Sequence, residues 1–446
     1  MRLTNVKKLP VHRGPAPWAA LLGSVPPTPE FGGRHTADFV VIGAGFAGLS
    51  AARRLTQLQP GARIVVLEAG LIAEGAAGRN SGFMIDLPHV LTSEDYAGHK
   101  TDQAGTRLNR TAIAFARAAA EDYGITPHYV DPAGKINGAA SAAADQKNQS
   151  YARHLEDIGE PYELLDARQM QDITGSSHYV SGLFSPGTVL LQPAGYMRGL
   201  ASGLRKRGVG IFENSPVIAF ENSGSGWDVI TPSGRVSAAR VIVTVNGHLE
   251  SFGHQRGRLL HLFLFGAMTP ELDPEQSRKI GGQPRWGVTP SDPMGTTMRR
   301  IDSHQGGNRI ITRSCAVLRP DMVAAARDLA RASRVMQRKF NQRFPALSGL
   351  PMQYQWAGHL CLTQNDVAVM REIERNLFSG CVQNGLGTVR GTLTGIGAAE
   401  LACGVSSDIT AYFSSEPAPR RLPPRPLLET GANMVLRWRE WMARDD

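Results

Sequence analysis

The sequence predicts an α/β fold: a parallel sheet with helices, plus a second α+β domain built on a mainly antiparallel sheet. Three observations predict it. Residues 37–70 run strand, glycine turn, helix, strand. Residues 378–404 run from a glycine-rich turn into another helix. Three further stretches, "LLHLFLFGAMTPEL" (259–272), "GTTMRRIDSHQGGNRIITRS" (295–314) and "PMQYQWAGHLCLT" (351–363), read as strands and turns, with "SHQGG" a hairpin signal.

In the first segment "DFVVIG" is a buried strand and "GAGFAG" places Gly43, Gly45 and Gly48 in G-x-G-x-x-G spacing. "FAGLSAARRLTQL" has helical periodicity, and "ARIVVLE" is a second strand ending at Glu68. The first glycine makes the turn, the second lets the backbone reach a pyrophosphate, and the third lets the helix pack on the strand. The helix N-terminus then faces the phosphates with its positive end. Glu68, 20 residues after Gly48, is placed to accept ribose hydroxyls and disfavours a 2′-phosphate. Strand, glycines, helix, strand and acid in order predict a Rossmann-like dinucleotide site.

Length and composition bound the rest. The chain has 446 residues, room for about two domains. Its four cysteines (315, 361, 381, 403) form no CxxC pair, which predicts reduced thiols, a cytoplasmic setting and no zinc framework. The 12 histidines form no HExxH pattern, so no metal is expected. No apolar run reaches the ~18–20 residues of a membrane span. "APWAALLGSV" (16–25) is short, carries Pro17 and leads into "PPTPEF", unlike a signal peptide. The net charge of +9 is spread along the chain without an aromatic-interleaved basic strand, which points to anionic small molecules and not to nucleic acid.

After the second strand comes "GAAGRNSGFM" (75–84), a run almost stripped of large side chains around Arg79 and Asn80. It resembles the "GASGRNGG" loop of the D-amino-acid oxidase superfamily of FAD enzymes, in the glycine and sarcosine oxidase branch and nearest to γ-glutamylputrescine oxidases. Ser81 stands where that family usually has glycine, and Ala77 where it usually has serine. Three other stretches share the resemblance: 190–220, where Pro193 opens a helix; 237–249, ending in Asn246-Gly247; and 378–404. In the last, small residues at 387, 391 and 395 form a stripe on a helix opening near Thr388. Its positive end, aimed at the flavin, would stabilise negative charge on reduction.

The resemblance implies FAD, held non-covalently. The implied contacts are Gly43, Gly45, Phe46, Ala47, Gly48, Glu68 and Ala69; Ala77, Gly78, Arg79, Asn80, Ser81 and Gly82; Val217, Asn246 and Gly247; and Gly385, Leu386, Gly387, Thr388 and Val389. It also implies a discontinuous FAD-binding domain (37–88, 193–252, 357–412), a substrate domain (89–192, 253–356), an N-terminal arm (1–36) and a Pro-rich tail and helix (413–446). On the substrate side Arg79, Asn80 and His359 are candidate catalytic residues. Arg299, Arg300, Arg313 and Trp356 are further candidates, an arginine being suited to grip a carboxylate. The final helix carries Met434, Trp438 and Trp441, a face expected to dock on the body. The implied reaction is oxidation of a C–N bond of an amine or amino acid, with hydride transfer to the flavin and reoxidation by O2 to give hydrogen peroxide. A dehydrogenase using a quinone or protein acceptor is the alternative. A flavin monooxygenase is disfavoured because the chain has no Gly-Asp dipeptide.

Overall fold

The computed structural model describes residues 3–6, 8–26, 28–88 and 102–446. The predicted start of the substrate domain at 89 lies outside the described residues. Two large sheets organise the chain. The first has nine strands and is parallel at its centre. Gly33–Ile42 runs between Ile64–Leu67 and Gly234–Val243, with Gly210–Phe212 beyond Ile64–Leu67, all parallel. The long strand Gly234–Val243 offers its other edge to two partners in turn. Its first half takes Trp227–Ile230 antiparallel, and its last residues take Leu377–Cys381 parallel. Val40, Val41, Val66, Val241 and Ile242 are fully buried, as a sheet covered on both faces requires.

The helix Phe46–Leu58 links the first two parallel strands, and Val389–Ala402 packs against it. A Cβ on Gly395 would stand 2.1 Å from the Ala47 carbonyl, and one on Gly391 3.1 Å from Phe46 Cβ. Two glycines of the predicted stripe therefore serve helix–helix contact, while Gly387 has open space beside it. This corrects the reading of the whole stripe as a flavin contact: Gly387 and Gly391 line the cavity described below, and Gly395 does not.

The second sheet has eight strands, antiparallel except where Trp286–Pro290 joins Lys135–Ala139. Tyr354–Thr363 is its edge strand, paired along its length with Leu259–Met268. On one face the helix Ala326–Arg343 buries Ala332, Met336 and Phe340 against Phe263, Phe265 and Val317. On the other lies the C-terminal helix Arg425–Met442. Its Leu428, Ala432 and Leu436, spaced at i, i+4 and i+8, pack on Leu262, Ala316 and Leu318. Asn433 and Glu440 accept from the backbone N–H groups of Leu318 and Ala316, both at 2.9 Å. That pair of anchors turns the opposite face outward. Met434, Trp438 and Trp441 are 68%, 56% and 58% exposed, contrary to the expectation that they dock on the body.

The N-terminal arm is built into the fold. Trp18 is fully buried, donates from Nε1 to the Asn80 carbonyl at 2.8 Å, and accepts from Gln192 Nε2 at its own carbonyl. Among the described residues no helix is long and apolar enough to cross a membrane.

Candidate active site

Four parallel strands end at Ile42, Leu67, Val243 and Cys381. The residues that follow each of them, 43–47, 68–71, 244–246, 383 and 385–388, line one cavity of about 940 Å³. In open α/β sheets this carboxyl-end crevice is where ligands bind. The glycine turn is locked from beneath. Gly43 has φ +99°, a conformation that L side chains rarely adopt. Thr244 Oγ1 donates to the carbonyls of Ile42 and Gly43. A Cβ on Gly48 would meet the Gly43 carbonyl at 1.8 Å, so its glycine serves helix–strand packing and it does not line the cavity. Gly45 is different: a Cβ there meets nothing within 4 Å and would project into the cavity. Glu68 accepts from Ala44 N at 2.7 Å and Gly70 N at 3.1 Å. Burial pushes its carboxyl above the usual range, against those two bonds.

The loop after the second strand turns inward but uses its polar side chains on itself. Asn80 Nδ2 donates to the Ala77 carbonyl and its Oδ1 accepts from Gly82 N. Arg79 donates to the carbonyls of Glu74, Arg13, Gly14, Pro15 and Ala357. Its backbone carbonyl accepts from Trp356 Nε1 at 2.9 Å. Both side chains line the cavity, yet their hydrogen-bonding groups brace the loop and tie down the N-terminal arm. Arg79→Ala is therefore expected to lower stability by about 1.5–3 kcal/mol, the range for hydrogen bonds to a charged group. A melting curve and limited proteolysis of the arm check this. An unchanged melting temperature with a protected arm would return Arg79 to a purely ligand-directed role.

The opposite wall is the antiparallel sheet. Leu260, Leu262 and Leu264 with Leu360 and Leu362 form an apolar floor, roofed in part by Val435, Leu436 and Arg439 of the C-terminal helix. Arg313 opens onto this floor. Simple alternation along Arg309–Leu318 would place it with Cys315 and Val317 in the core beneath the sheet. The pairing register instead slips between Leu264 and Phe265, and Cys315 takes φ +67°. This bulge flips the alternation, so Arg313, opposite Gly266, shares a face with Ala316 and Leu318. Among the described residues its guanidinium has no hydrogen-bond or ion-pair partner. Burial holds it below the ordinary guanidinium value, opposed only by Cys315.

The other arginine candidates are corrected. Arg299 is buried behind the loop, donating to the carbonyls of Ser81 and Leu191 and to Gln305 Oε1. A Cβ on Gly82 would meet its Nη1 at 2.1 Å. Arg300 donates to the Gly281 carbonyl. Neither lines the cavity, whereas Trp356 and His359 do. Of the predicted cofactor contacts, Gly43, Gly45, Phe46, Ala47, Glu68, Ala69, Ala77, Arg79, Asn80, Ser81, Gly82, Val217, Asn246, Gly385, Leu386, Gly387 and Thr388 come together on its wall. Gly48, Gly78, Gly247 and Val389 stand behind that wall. Gly78 fits against the Ala73 carbonyl, Gly247 against Cys361, and Val389 is wholly buried. Sequence reading missed Thr244, His12, His248 and the C-terminal helix residues. The alternating leucines of "LLHLFLF" and "HLCLT" were the one available signal for the floor.

The wall fits FAD on its own terms. Gly45, Gly70, Gly75 and Gly387 leave open space where side chains would stand. Asn246, held at φ +50°, points a buried Oδ1 without a partner among the described residues. Two helices, capped at Gly45 and Thr388, open their positive ends on the cavity. Comparison with known proteins agrees. The chain is 26% identical over 392 residues to a probable oxidoreductase, OrdL, of Haemophilus influenzae, covering 84% of this chain and 85% of that one. It is 24% identical over 403 residues to the gamma-glutamylputrescine oxidoreductase of Escherichia coli, covering 84% and 86%. The fold matches glycine oxidase from Geobacillus kaustophilus with a TM-score of 0.68 and 17% identity, over 87% of this chain and all of that one. The family model for FAD dependent oxidoreductases (DAO) matches residues 38–401, and the chain belongs to that family.

Proposed function

We propose that this FAD enzyme oxidises the C–N bond of a small amine or amino acid that carries a carboxylate, with O2 as electron acceptor and hydrogen peroxide as product. The observation that carries the reading is Arg313: a buried guanidinium with no hydrogen-bond or ion-pair partner among the described residues, at the edge of an apolar floor facing the glycine-lined wall. A cation in that setting gains most from a bidentate carboxylate. The relatives named for γ-glutamylputrescine and glycine bear amine substrates in their names, which supports the same class.

Residues 43–47, 68–69, 75–77, 79–82, 246 and 385–388 would hold the cofactor, which supplies a two-electron acceptor when bound. Arg313 would orient the substrate by its carboxylate. Leu260, Leu262, Leu264, Leu360 and Leu362 would exclude water beside the reacting carbon. The helix end at Thr388 would favour negative charge developing nearby. The cofactor is held without a covalent bond: burial pushes the thiol of Cys361, the one cysteine on the wall, well above its usual value and keeps it a poor nucleophile. The four cysteines are free thiols, in keeping with a reducing, cytoplasmic setting.

Anaerobic titration of the yellow holoprotein with a panel of amines and amino acids tests the reading. Carboxylate-bearing amines should bleach the flavin, their decarboxylated analogues should do so poorly, and air should restore the colour with one peroxide per turnover. Acid should release free FAD. Restoration only by a quinone would replace O2 as the acceptor, and bleaching indifferent to the carboxylate would remove Arg313 from the site.

A further inference from the structure

One whole side of the helix Arg425–Met442 is apolar and uncovered. Leu427, Met434, Val435, Trp438, Trp441 and Met442 are each between 49% and 72% exposed. At helical spacing they fall within one arc of roughly 120°. Single exposed apolar residues are ordinary on a protein surface, whereas a continuous face holding two tryptophans marks a contact surface. The arc is fixed in that position. On the opposite side Leu428, Ala432 and Leu436 pack on the antiparallel sheet. Glu440 pairs with Arg331 at 2.7 Å, and just past the helix Asp446 Oδ1 accepts from Arg343 Nη2 at 2.6 Å. The helix cannot roll to bury its tryptophans without giving up these ties.

The charge around the arc has one sign. The acids of residues 416–446 turn to the body: Glu416 to Arg390, Glu429 to Arg319, Glu440 to Arg331 and Asp446 to Arg343. The arginines turn out. Arg420, Arg421 and Arg425 lead into the helix, exposed and without an ion pair among the described residues. Arg437 borders the arc and shares Glu440 with Arg331, two cations to one carboxylate. Arg444 stands over the Trp441 ring at 4.5 Å, next to Asp445, the acid of this segment that pairs with no residue of the body. A second copy of the chain is a poor match for such a face. A two-fold contact brings the same patch against itself and would set one arginine rim on another. A bilayer with anionic headgroups suits both halves of the surface. Its acyl chains take the apolar side chains, its phosphates take the guanidinium groups, and tryptophan is favoured at the boundary between them.

We propose that the outer face of Arg425–Met442 docks this protein on an anionic lipid surface, the helix lying in the plane of the headgroups and not crossing them. Gly431 and Val435 are exposed on the docking side and also line the cavity. The element that roofs the cavity is therefore the one that meets the lipid. The inference stands apart from the amine reading and does not depend on which substrate the site takes.

Four of the six tryptophans, Trp18, Trp227, Trp286 and Trp356, are buried, so a change of emission on adding vesicles reports Trp438 and Trp441. The test mixes the full FAD-loaded chain with vesicles of phosphatidylcholine, alone or with phosphatidylglycerol, and follows cosedimentation and fluorescence. Binding to the mixed vesicles should be about tenfold tighter or more, and salt should weaken it. Emission should shift to the blue and become shielded from acrylamide. Trp438→Ser combined with Trp441→Ser should lower vesicle affinity about tenfold or more. Both side chains are exposed, so its melting temperature and flavin content should match the wild type. Arg420→Gln, Arg421→Gln and Arg425→Gln together should erase the preference for anionic lipid. A wild-type chain that stays in solution with both kinds of vesicle would overturn the proposal, as would equal binding to both. A dimer that the two tryptophan substitutions split into monomers, with no binding to vesicles, would overturn it in favour of a second copy on this face.

Discussion

Gly45→Leu should give a folded, colourless protein. The position is unusual in separating folding from binding. Gly45 caps the helix Phe46–Leu58 with φ −82° and ψ −171°, which any residue adopts. A Cβ there touches no protein atom within 4 Å. A leucine would therefore cost the apo fold little while filling the closest approach open to a pyrophosphate. Affinity for FAD should fall by about two orders of magnitude or more, roughly 3 kcal/mol. Added FAD should raise the melting temperature of the wild type and not that of the variant, because stabilisation by a ligand follows its occupancy. Gly48→Leu is the contrast. Its Cβ would stand 1.8 Å from the Gly43 carbonyl, so the fold itself should fail. A Gly45→Leu protein with full flavin absorbance would show that the turn is structural and that the cofactor lies elsewhere.

The difference between these two glycines was legible in the sequence, because the fingerprint is local: turn, helix start and second strand lie within 37–70 and each residue's task follows from its spacing. Tasks set by distant partners were not. Arg79 and Asn80 stand in a loop nearly bare of side chains, which suggested action on a ligand. The atoms that occupy Arg79 belong to residues 13–15 and 357, brought beside it only by the fold. The final helix misled for a related reason. Its two apolar faces, Leu428-Ala432-Leu436 and Met434-Trp438-Trp441, are both plausible as the inner one by period. The choice between them was made by Asn433 and Glu440 bonding to a strand more than a hundred residues away.

Arg313→Met should weaken binding of carboxylate-bearing substrates by roughly a hundredfold, about 3 kcal/mol, within the range for truncating one partner of a desolvated charge pair. The site owes its position to a feature alternation hides. Without the bulge at Cys315, residue 313 would face the core under the helix Ala326–Arg343; with it, the guanidinium stands beside Thr297 and Gly266 over the cavity. Methionine keeps most of the apolar stem and removes the charge. Because Arg313 makes no hydrogen bond or ion pair among the described residues, the substitution breaks no internal tie, and it relieves the cost of a desolvated cation. Stability of the substrate-free protein should be unchanged or slightly higher, the reverse of what Arg79→Ala should show. The measurement is the substrate dependence of flavin reduction beside a melting curve. The loss should appear in the half-saturating concentration for carboxylate substrates and be small for their esters, which a guanidinium grips less well. A melting temperature that drops by several degrees while carboxylates bind as before would make Arg313 a structural residue and leave the substrate's acid to another group.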